Sequence, residues 1–467
     1  MAAAARALPL QIVILCTLAG LLGAPSWLSY IAGAALLVFV VLEWRRQSLT
    51  ARLMLGGAAV LTAVVLYPGA PTPAPLLTDA LDRAAFFATF ITCLGTLRMA
   101  AAHSPLVKRC GAALIRQPPR WRYATLSLGS AAFGLILNLG VIALLGVMSL
   151  KGNTLQAAGG HSEVQQARTR RMLTAILRGF SLAPIISPLG IALAVILSNY
   201  PTLRWVTLLP YTAATAAILF LTGWAQDRIA APRHLASLVP ETTGTPLRPL
   251  LRFVAVLAAI VLFTFGAAWV AGTRLPTAVL FTVPVSAFVW MAVQRHRLGG
   301  GLGLRRAATA FRRRSLTFFP GMRTEVAVLG SAGFIGVVLA EMLPRSWVAE
   351  QILGLGLAGA GLAAGATVLV VIAAQVGLNP IVSVTLLASV LRDPAALGIP
   401  VPIMAAGLMA GWGLAMVTSP LTASMLMTAR LARTSPYTVG YGWNGPYVVA
   451  TCLLLWLAAT AYGAWAG

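Results

Sequence analysis

The sequence predicts an all-helical, polytopic membrane protein with about eleven transmembrane helices, two re-entrant hairpins and two broken helices. The residues are 59% hydrophobic and only 9% charged, which lies outside the range of soluble domains. The apolar runs are about 20 residues long, the length that crosses a bilayer. Helices must make these crossings, because lipid offers the backbone no hydrogen-bond partner and the runs are too long for barrel strands.

The net charge of +24 does not indicate a nucleic-acid-binding protein. A pI near 11.5 is typical of domains that bind phosphate groups, but here the basic residues are dispersed among hydrophobic runs, as the positive-inside rule predicts. The cysteines have no metal-ligand or CxxC spacing, and all but Cys110 lie in apolar runs. They are interpreted as core residues, and no metal centre or cofactor is expected apart from bound sodium ions.

Nine simple spans are predicted from hydropathy, each to within a few residues. The first could be mistaken for a secretory signal, but the topology works best if it is retained. The spans cover residues 8–24, 26–43, 52–68, 84–102, 205–224, 250–271, 275–294, 324–343 and 446–464.

Two further apolar segments, residues 122–150 and 352–391, are interrupted at their centres. They are predicted to be re-entrant hairpins whose tips lie near mid-bilayer. An unsatisfied polar group at that depth costs several kcal/mol, so the tip amides need partners. The interrupting residues are Asn138 and Gly140 in the first segment and Gly377 and Asn379 in the second.

Residues 172–199 and 400–433 are also interrupted, but by proline, which removes a helical donor and clashes with the preceding turn. They are predicted to be discontinuous spanning helices. Each break leaves free carbonyls on one half-helix, which attract cations, and free N–H groups on the next, which attract anions. The alternative is a proline kink whose hydroxyls bond back to their own helix. The residues at the breaks are Ser187, Pro188, Thr418, Ser419 and Pro420, with Ser181 on the approach to the first.

The connectors predict the orientation. If each hairpin returns to the side of the membrane that it entered and each broken helix crosses the membrane, the chain makes eleven crossings. With that count, nearly all connectors that contain basic residues fall on one side of the membrane. That side is the cytoplasm, so the N-terminus is cytoplasmic and the C-terminus periplasmic in a bacterial inner membrane. The few basic residues on the other side are Arg83, Arg204, Arg274, Arg345 and Arg392.

An internal repeat links the interrupted segments. Leu137-Asn138 precedes Ser187-Pro188-Leu189, and Leu378-Asn379 precedes Ser419-Pro420-Leu421 in the same order. An odd number of crossings separates the copies, which indicates an inverted-topology repeat with its binding site at the midplane. The predicted domains are an extra helix (1–25), a first repeat (26–225), a cytoplasmic linker (226–249) and a second repeat (250–467).

With these motifs the chain resembles the ion transporter superfamily, in layout most closely the divalent anion/sodium symporters of dicarboxylates, citrate or sulfate. That family has an extra first helix and two inverted repeats, each with a hairpin and a broken helix. It carries Ser-Asn-Thr at each hairpin tip, and this sequence keeps only Asn138 and Asn379. The resemblance implies that these asparagines contact substrate and sodium; the missing hydroxyls leave the substrate unassigned. The alternative from the residues is that each amide only caps its own turn.

Arg178 lies seven residues after Arg171, so it should be about 10 Å deeper in the membrane. Because no acidic residue occurs in the four interrupted segments, its partner is expected to be a backbone carbonyl, water or a bound anion. Snorkelling to the interface is the alternative.

The sequence therefore favours a secondary transporter of a small anion, coupled to sodium and working by an elevator-like mechanism. The absence of carboxylates and histidines from the interrupted segments argues against proton coupling, with Glu341 the one residue that could overturn this. The alternatives are a cation/proton or metalloid-anion exchanger, a membrane enzyme, or a passive subunit; no HExxH or paired-aspartate motif supports an enzyme. The expected partners are the substrate and lipid, with a homodimer left open.

Overall fold

A computed structural model describes the chain except for residues 1, 68–72, 103, 233, 235–243, 296–299, 345–346, 348–349, 352–353, 355–358 and 467. All long elements of the described part are helices. Parts of the predicted linker 226–249 and of the predicted hairpin 352–391 lie outside the described residues, as does Arg345.

The helices follow the predicted apolar runs closely. The N-terminal half contains α1 Ala2–Leu21, α2 Trp27–Glu43, α3 Leu49–Val65, α4 Pro73–Ala101, α5 Pro105–Ile115, α6 Pro119–Leu137, α7 Gly140–Gly152, α8 Ser162–Ile186, α9 Ile191–Asn199 and α10 Trp205–Ile229. The C-terminal half contains α11 Arg248–Val270, α12 Leu275–Arg295, α13 Gly300–Gly321, α14 Arg323–Met342, α15 Gly359–Gln375, α16 Pro380–Val390, α17 Val401–Thr418, α18 Ala423–Ala432 and α19 Gly445–Ala466.

Nine of these helical stretches, counted over the described residues, are long and apolar enough to cross a membrane. They include both interrupted stretches, Ser162–Asn199 and Val401–Ala432. The polytopic helical fold is therefore confirmed. The predicted count of eleven also needs Arg6–Leu21 and Leu49–Val65, which are apolar but shorter, and it stays a prediction.

Two helices, α5 and α13, lie in Arg-rich stretches that were interpreted as connectors. Hydropathy misses them because they are amphipathic rather than uniformly apolar. Along α5 the residues Val107, Cys110 and Leu114 are buried at helical spacing. The Cys110 thiol donates to the Pro249 carbonyl at 3.0 Å, and burial raises the pKa of this thiol to about 11. Cys110 is thus a neutral core residue here.

The chain divides into two compact units. Unit 1 contains Met1–His103, Ile260–Glu350 and Thr385–Arg392. Unit 2 contains Ser104–Ala259, Gln351–Val384 and Asp393–Gly467. Each unit draws on both halves of the sequence, so the compact units do not coincide with the predicted repeats, which are defined by sequence order.

Unit 1 contains a buried carboxylate, Glu43, at the end of α2. Its oxygens lie 3.6 Å from the Arg6 guanidinium and 4.0 Å from that of Arg323. The Arg323 Nε also donates to the Arg46 carbonyl at 2.9 Å. Neither Glu43 oxygen has a hydrogen-bond partner among the described atoms, so the guanidiniums of Arg6 and Arg323 offset its buried charge by proximity alone and connect α1 and α14 to α2.

The predicted orientation can be tested with reporters fused after Arg295 and after Gly467. Three predicted crossings separate these points, namely α14, the α17–α18 stretch and α19. We expect a cytoplasmic reporter signal at Arg295 and a periplasmic signal at Gly467, measured by paired alkaline phosphatase and fluorescent-protein fusions. Signals from the same side of the membrane would contradict the eleven-crossing topology.

Candidate functional site

The first predicted hairpin is a helix–turn–helix made of α6 and α7, with Asn138 in the turn. Asn138 has φ +50° and ψ −135°, a conformation that favours glycine and that asparagine tolerates better than most residues. Its N–H donates to the Gly134 carbonyl at 3.1 Å, and its carbonyl accepts from the Val141 N–H at 3.0 Å. The backbone thus closes the turn by itself. The half-buried Asn138 amide makes no hydrogen bond to the described part of the chain.

The second hairpin, α15 and α16, closes differently. Gly377 has φ +92°, its N–H donates to the Ala374 carbonyl, and the Leu378 N–H donates to the Ala373 carbonyl. This is the usual way that glycine ends a helix. Asn379 then begins α16, since its Oδ1 accepts from the Ile381 N–H at 3.0 Å. The side-chain oxygen of Asn379 therefore caps the helix that follows it, whereas the side-chain amide of Asn138 caps nothing in the described part of the chain.

The first break separates α8 from α9. Ser187 ends α8 with an extended backbone, and its N–H donates to the Ala183 carbonyl at 3.1 Å. Pro188 follows and offers no N–H donor. The Ser187 side chain is 4% exposed, and its Oγ has no hydrogen-bond partner among the described atoms. The hydroxyls of Ser127, Ser149 and Ser383 are also buried without a described partner, so Ser187 is distinguished by its place at a helix break and not by this state alone.

The second break separates α17 from α18, and here the hydroxyls are satisfied. Ser419 Oγ donates to the Ala374 carbonyl of the second hairpin at 2.6 Å and accepts from the Leu421 N–H at 3.2 Å. Ser424 Oγ donates to the Met416 carbonyl at 2.8 Å. Thr418, which precedes Pro420 by two positions, donates to its own helix at 2.6 Å. The Met416 carbonyl of this break is thus occupied by the chain itself.

The interrupted segments meet within unit 2. Ser130 of α6 donates to the Ile176 carbonyl of α8 at 2.7 Å, which holds the first hairpin beside the first broken helix. The two broken helices cross where Gly413 faces the Ser181 carbonyl, and a Cβ at Gly413 would lie only 2.5 Å from that oxygen. Ser181 precedes Ser187 by the same number of positions as Gly413 precedes Ser419, which fits the predicted repeat. Only glycine allows this close approach.

Arg178 is buried at 4% exposure on α8. Its guanidinium stacks on the Tyr447 ring, 4.2 Å from the centroid. It donates to neutral acceptors only: Asn444 Oδ1 at 2.8 Å, the Trp443 carbonyl at 3.1 Å, Gln226 Oε1 at 3.2 Å and the Gly223 carbonyl at 3.4 Å. Two of the partners are backbone carbonyls, one of the expected alternatives, whereas the side-chain amide oxygens of Asn444 and Gln226 were not expected. The side chain is not at an exposed interface.

Arg178 does not lie at the break itself. Nine residues separate it from Ser187, or about 13 Å along a helix. Its contacts join α8 to α10 and to the π-helical turn Thr438–Trp443 before α19. Asn444 and this turn were not among the residues predicted from the sequence. The signal that could have found them is the turn-rich stretch 441–446, which contains Asn-Gly and Gly-Pro steps.

The structure thus brings Asn138, Ser187, Ser181, Asn379 and Ser419 into one unit, and it reveals a difference between the two halves. In the second half Asn379 Oδ1 and Ser419 Oγ have backbone partners. In the first half neither the Asn138 amide nor the Ser187 hydroxyl has one within the described residues. The remaining candidates, Gly140, Pro188, Gly377, Thr418 and Pro420, shape the turns and breaks around these groups.

Two solved structures have a similar fold. The YdaH transporter of Alcanivorax borkumensis is 14% identical, with 87% of this chain and 96% of that chain covered and a TM-score of 0.52. MtrF of Neisseria gonorrhoeae, described within a class of antimetabolite efflux pumps, is 13% identical, with 88% and 95% covered and a TM-score of 0.51. No protein-family model and no curated protein sequence matches the chain.

These likenesses extend over most of the chain and show that it shares the fold of these two membrane proteins. They do not single out the divalent anion/sodium symporters, so the resemblance to that family stays a prediction. At this identity the likeness concerns the fold, and the activity has to be argued from the site.

Proposed function

We propose that this protein is a secondary transporter that moves a small anionic solute across the bacterial inner membrane with sodium. The observation that carries the proposal is the pair of free polar groups at the first hairpin tip and the first break, Asn138 and Ser187. A hydroxyl buried without a partner loses about 1–3 kcal/mol of solvation. A ligand that binds there would recover this loss, and the YdaH-like fold supports a transported ligand.

The chemistry of these groups favours an anion. The Asn138 amide and the Ser187 hydroxyl are both donors, and Ser187 lies just before α9, whose first N–H groups have no helical acceptor. A half-helix N-terminus attracts negative charge. No acidic residue occurs in residues 122–150, 172–199, 352–391 or 400–433 to repel it.

The same groups support sodium rather than proton coupling. A proton carrier needs a carboxylate or histidine in the pathway, and the interrupted segments contain neither. Hydroxyl, amide and main-chain carbonyl oxygens at the hairpin tips and half-helix ends are the ligands that transporters of this kind use for sodium. Sodium at Asn138 and Asn379 is therefore part of the proposal.

The location of the site within unit 2 supports an elevator-like mechanism. Both hairpin tips and both breaks belong to this unit, so the ligand could travel with it as a body. The direction of transport is a separate question. Because MtrF is described among antimetabolite efflux pumps, export of an anionic antimetabolite is a second candidate for the same site.

The proposal can be tested with purified protein in proteoliposomes and in detergent. We expect uptake of one member of a panel of labelled mono-, di- and tricarboxylates and sulfate to require a sodium gradient, with potassium as the matched control. We also expect sodium to raise the melting temperature, since a ligand that binds only the folded state stabilises it. Transport driven equally well by a proton gradient without sodium would instead identify an exchanger, and melting that is identical in sodium and potassium would exclude sodium binding.

A further inference from the structure

A recess of ≈ 470 Å³ lies at the end of the second broken helix, outside the candidate site. Arg430 in the last turn of α18 and Arg433 just beyond it line the recess, together with Thr434 and Ser435. No acidic residue lines it within the part of the chain that the structure describes. Neither guanidinium forms an ion pair or hydrogen bond with the described part of the chain. The recess therefore presents two uncompensated positive charges.

The backbone holds these arginines in a defined turn. Arg433 has φ +53° and ψ +43°, the left-handed conformation that costs a residue with a side chain about 1–2 kcal/mol. The Arg433 N–H donates to the Arg430 carbonyl at 3.3 Å, and the Thr434 N–H donates to the Ala429 carbonyl at 3.1 Å. Glycine is the common residue at such a helix end. An arginine there keeps a second cation beside Arg430 at the cost of this strain.

The surroundings of the recess are those of a membrane interface. The stretch Val401–Ala432 is one of the candidate spans, so residues just past its end lie at a bilayer surface whichever way the chain is oriented. Leu426, which lines the recess, is 41% exposed, and Tyr437, which follows the lining residue Pro436, is 58% exposed. The rings of Tyr437 and Tyr441 lie 6.0 Å apart. Exposed tyrosines next to arginines are typical of the headgroup layer.

We propose that the Arg430/Arg433 recess binds the phosphate of an anionic phospholipid. Arginine is suited to a phosphate diester, because its planar guanidinium can donate two hydrogen bonds to the phosphate oxygens. A free phosphate would satisfy the charges equally, but it would leave the apolar and aromatic rim in water, whereas a phospholipid covers both. Basic recesses between transmembrane helices are a known form of headgroup recognition.

A lipid in this recess would also act on the transport unit. Leu431 lies between the two arginines in sequence and packs closely against Gly146 of α7, where an added Cβ would lie 2.5 Å from its side chain. A headgroup held by Arg430 and Arg433 therefore stabilises the contact of α18 with the first hairpin, so anionic lipid should stabilise unit 2 as a whole.

The test measures binding and does not depend on the transported solute. Purified protein in neutral detergent is titrated with dioleoylphosphatidylglycerol, with dioleoylphosphatidylcholine and with inorganic phosphate, and bound lipid is counted by native mass spectrometry alongside the melting temperature. The variant is Arg430→Gln with Arg433→Gln. The matched control is Arg305→Gln with Arg306→Gln, two exposed arginines of α13. Replacement of Arg430 and Arg433 by lysine keeps the charge.

We expect phosphatidylglycerol to bind and stabilise the wild type, the control and the lysine variant. The glutamine variant should bind it about tenfold to thirtyfold more weakly, the loss expected for two phosphate-bound arginines. Equal binding by the glutamine variant would overturn the site. Stabilisation by inorganic phosphate as large as that by phosphatidylglycerol would overturn the lipid assignment. Both outcomes can be distinguished from failure of the transport proposal, because no solute is present.

Discussion

Replacing Arg178 by leucine is expected to lower the free energy of unfolding by about 3–5 kcal/mol, because four neutral acceptors lose their donor and each buried acceptor left unsatisfied costs about 1–3 kcal/mol. The reason is that Asn444 Oδ1, Gln226 Oε1 and two backbone carbonyls would lose their donor together. Arg178→Lys should lie between leucine and the wild type, since an ammonium cannot reach all four oxygens in the planar geometry of guanidinium.

The measurement is thermal and denaturant unfolding of the ligand-free protein in detergent. Arg170→Leu is the matched control, because Arg170 lies on the same helix and contacts an aromatic ring, Trp443, at 5.6 Å, but is exposed. We expect it to change stability by less than about 1 kcal/mol, the size of an exposed cation–π contact. The contrary result is an Arg178→Leu variant that melts like the wild type but loses solute binding. In that case Arg178 would be a binding residue, and its structural role in joining α8 to α10 and to the turn before α19 would be wrong.

The positions of the spans could be predicted from the sequence because lipid imposes a simple rule on backbone polar groups. The interruptions could be predicted for the same reason, since Pro188, Pro420, Asn138 and Gly377 are conspicuous in apolar surroundings. Both broken stretches are discontinuous in the structure within a few residues of the expected positions. The helices α5 and α13 could not be found by mean hydropathy, because their apolar residues occupy only one face.

The partners of the polar side chains could not be predicted, because they come from distant parts of the chain. Arg178 bonds to Asn444, which is 266 positions away. Ser187 and Ser419 occupy the same local motif, Ser-Pro-Leu, and still differ, because Ala374 of the second hairpin offers a carbonyl to Ser419 at 2.6 Å. The local sequence pattern thus predicts where the break serines lie, and tertiary packing decides which of them remains free for a ligand.

This difference between the halves leads to the last prediction, in which the two halves respond differently to the same chemical change. Ser187→Ala removes a hydroxyl that has no partner, so the ligand-free protein should keep its stability or gain slightly. Ser419→Ala breaks its bond to Ala374 and should lower stability by about 1 kcal/mol. In proteoliposomes the order should reverse. Ser187→Ala should weaken solute or sodium affinity about tenfold or more, the effect of losing a hydrogen bond to a charged ligand.

The two hairpin asparagines, Asn138 and Asn379, are expected to differ in the same way as the two serines. Asn138→Gly is a cleaner change than alanine, because glycine adopts φ +50° without strain while the amide is removed. We expect Asn138→Gly to lose affinity with unchanged or higher stability. Asn379→Ala loses the cap on Ile381 and should melt earlier by about 1 kcal/mol, with a smaller loss of sodium affinity than Asn138→Gly, because the Asn379 Oδ1 already accepts from the Ile381 N–H. Equal losses of transport in both halves, with stability unchanged throughout, would show that ligand binding is symmetric. Full transport by an Asn138→Gly, Ser187→Ala double variant with unaltered sodium dependence would remove the first half from the site.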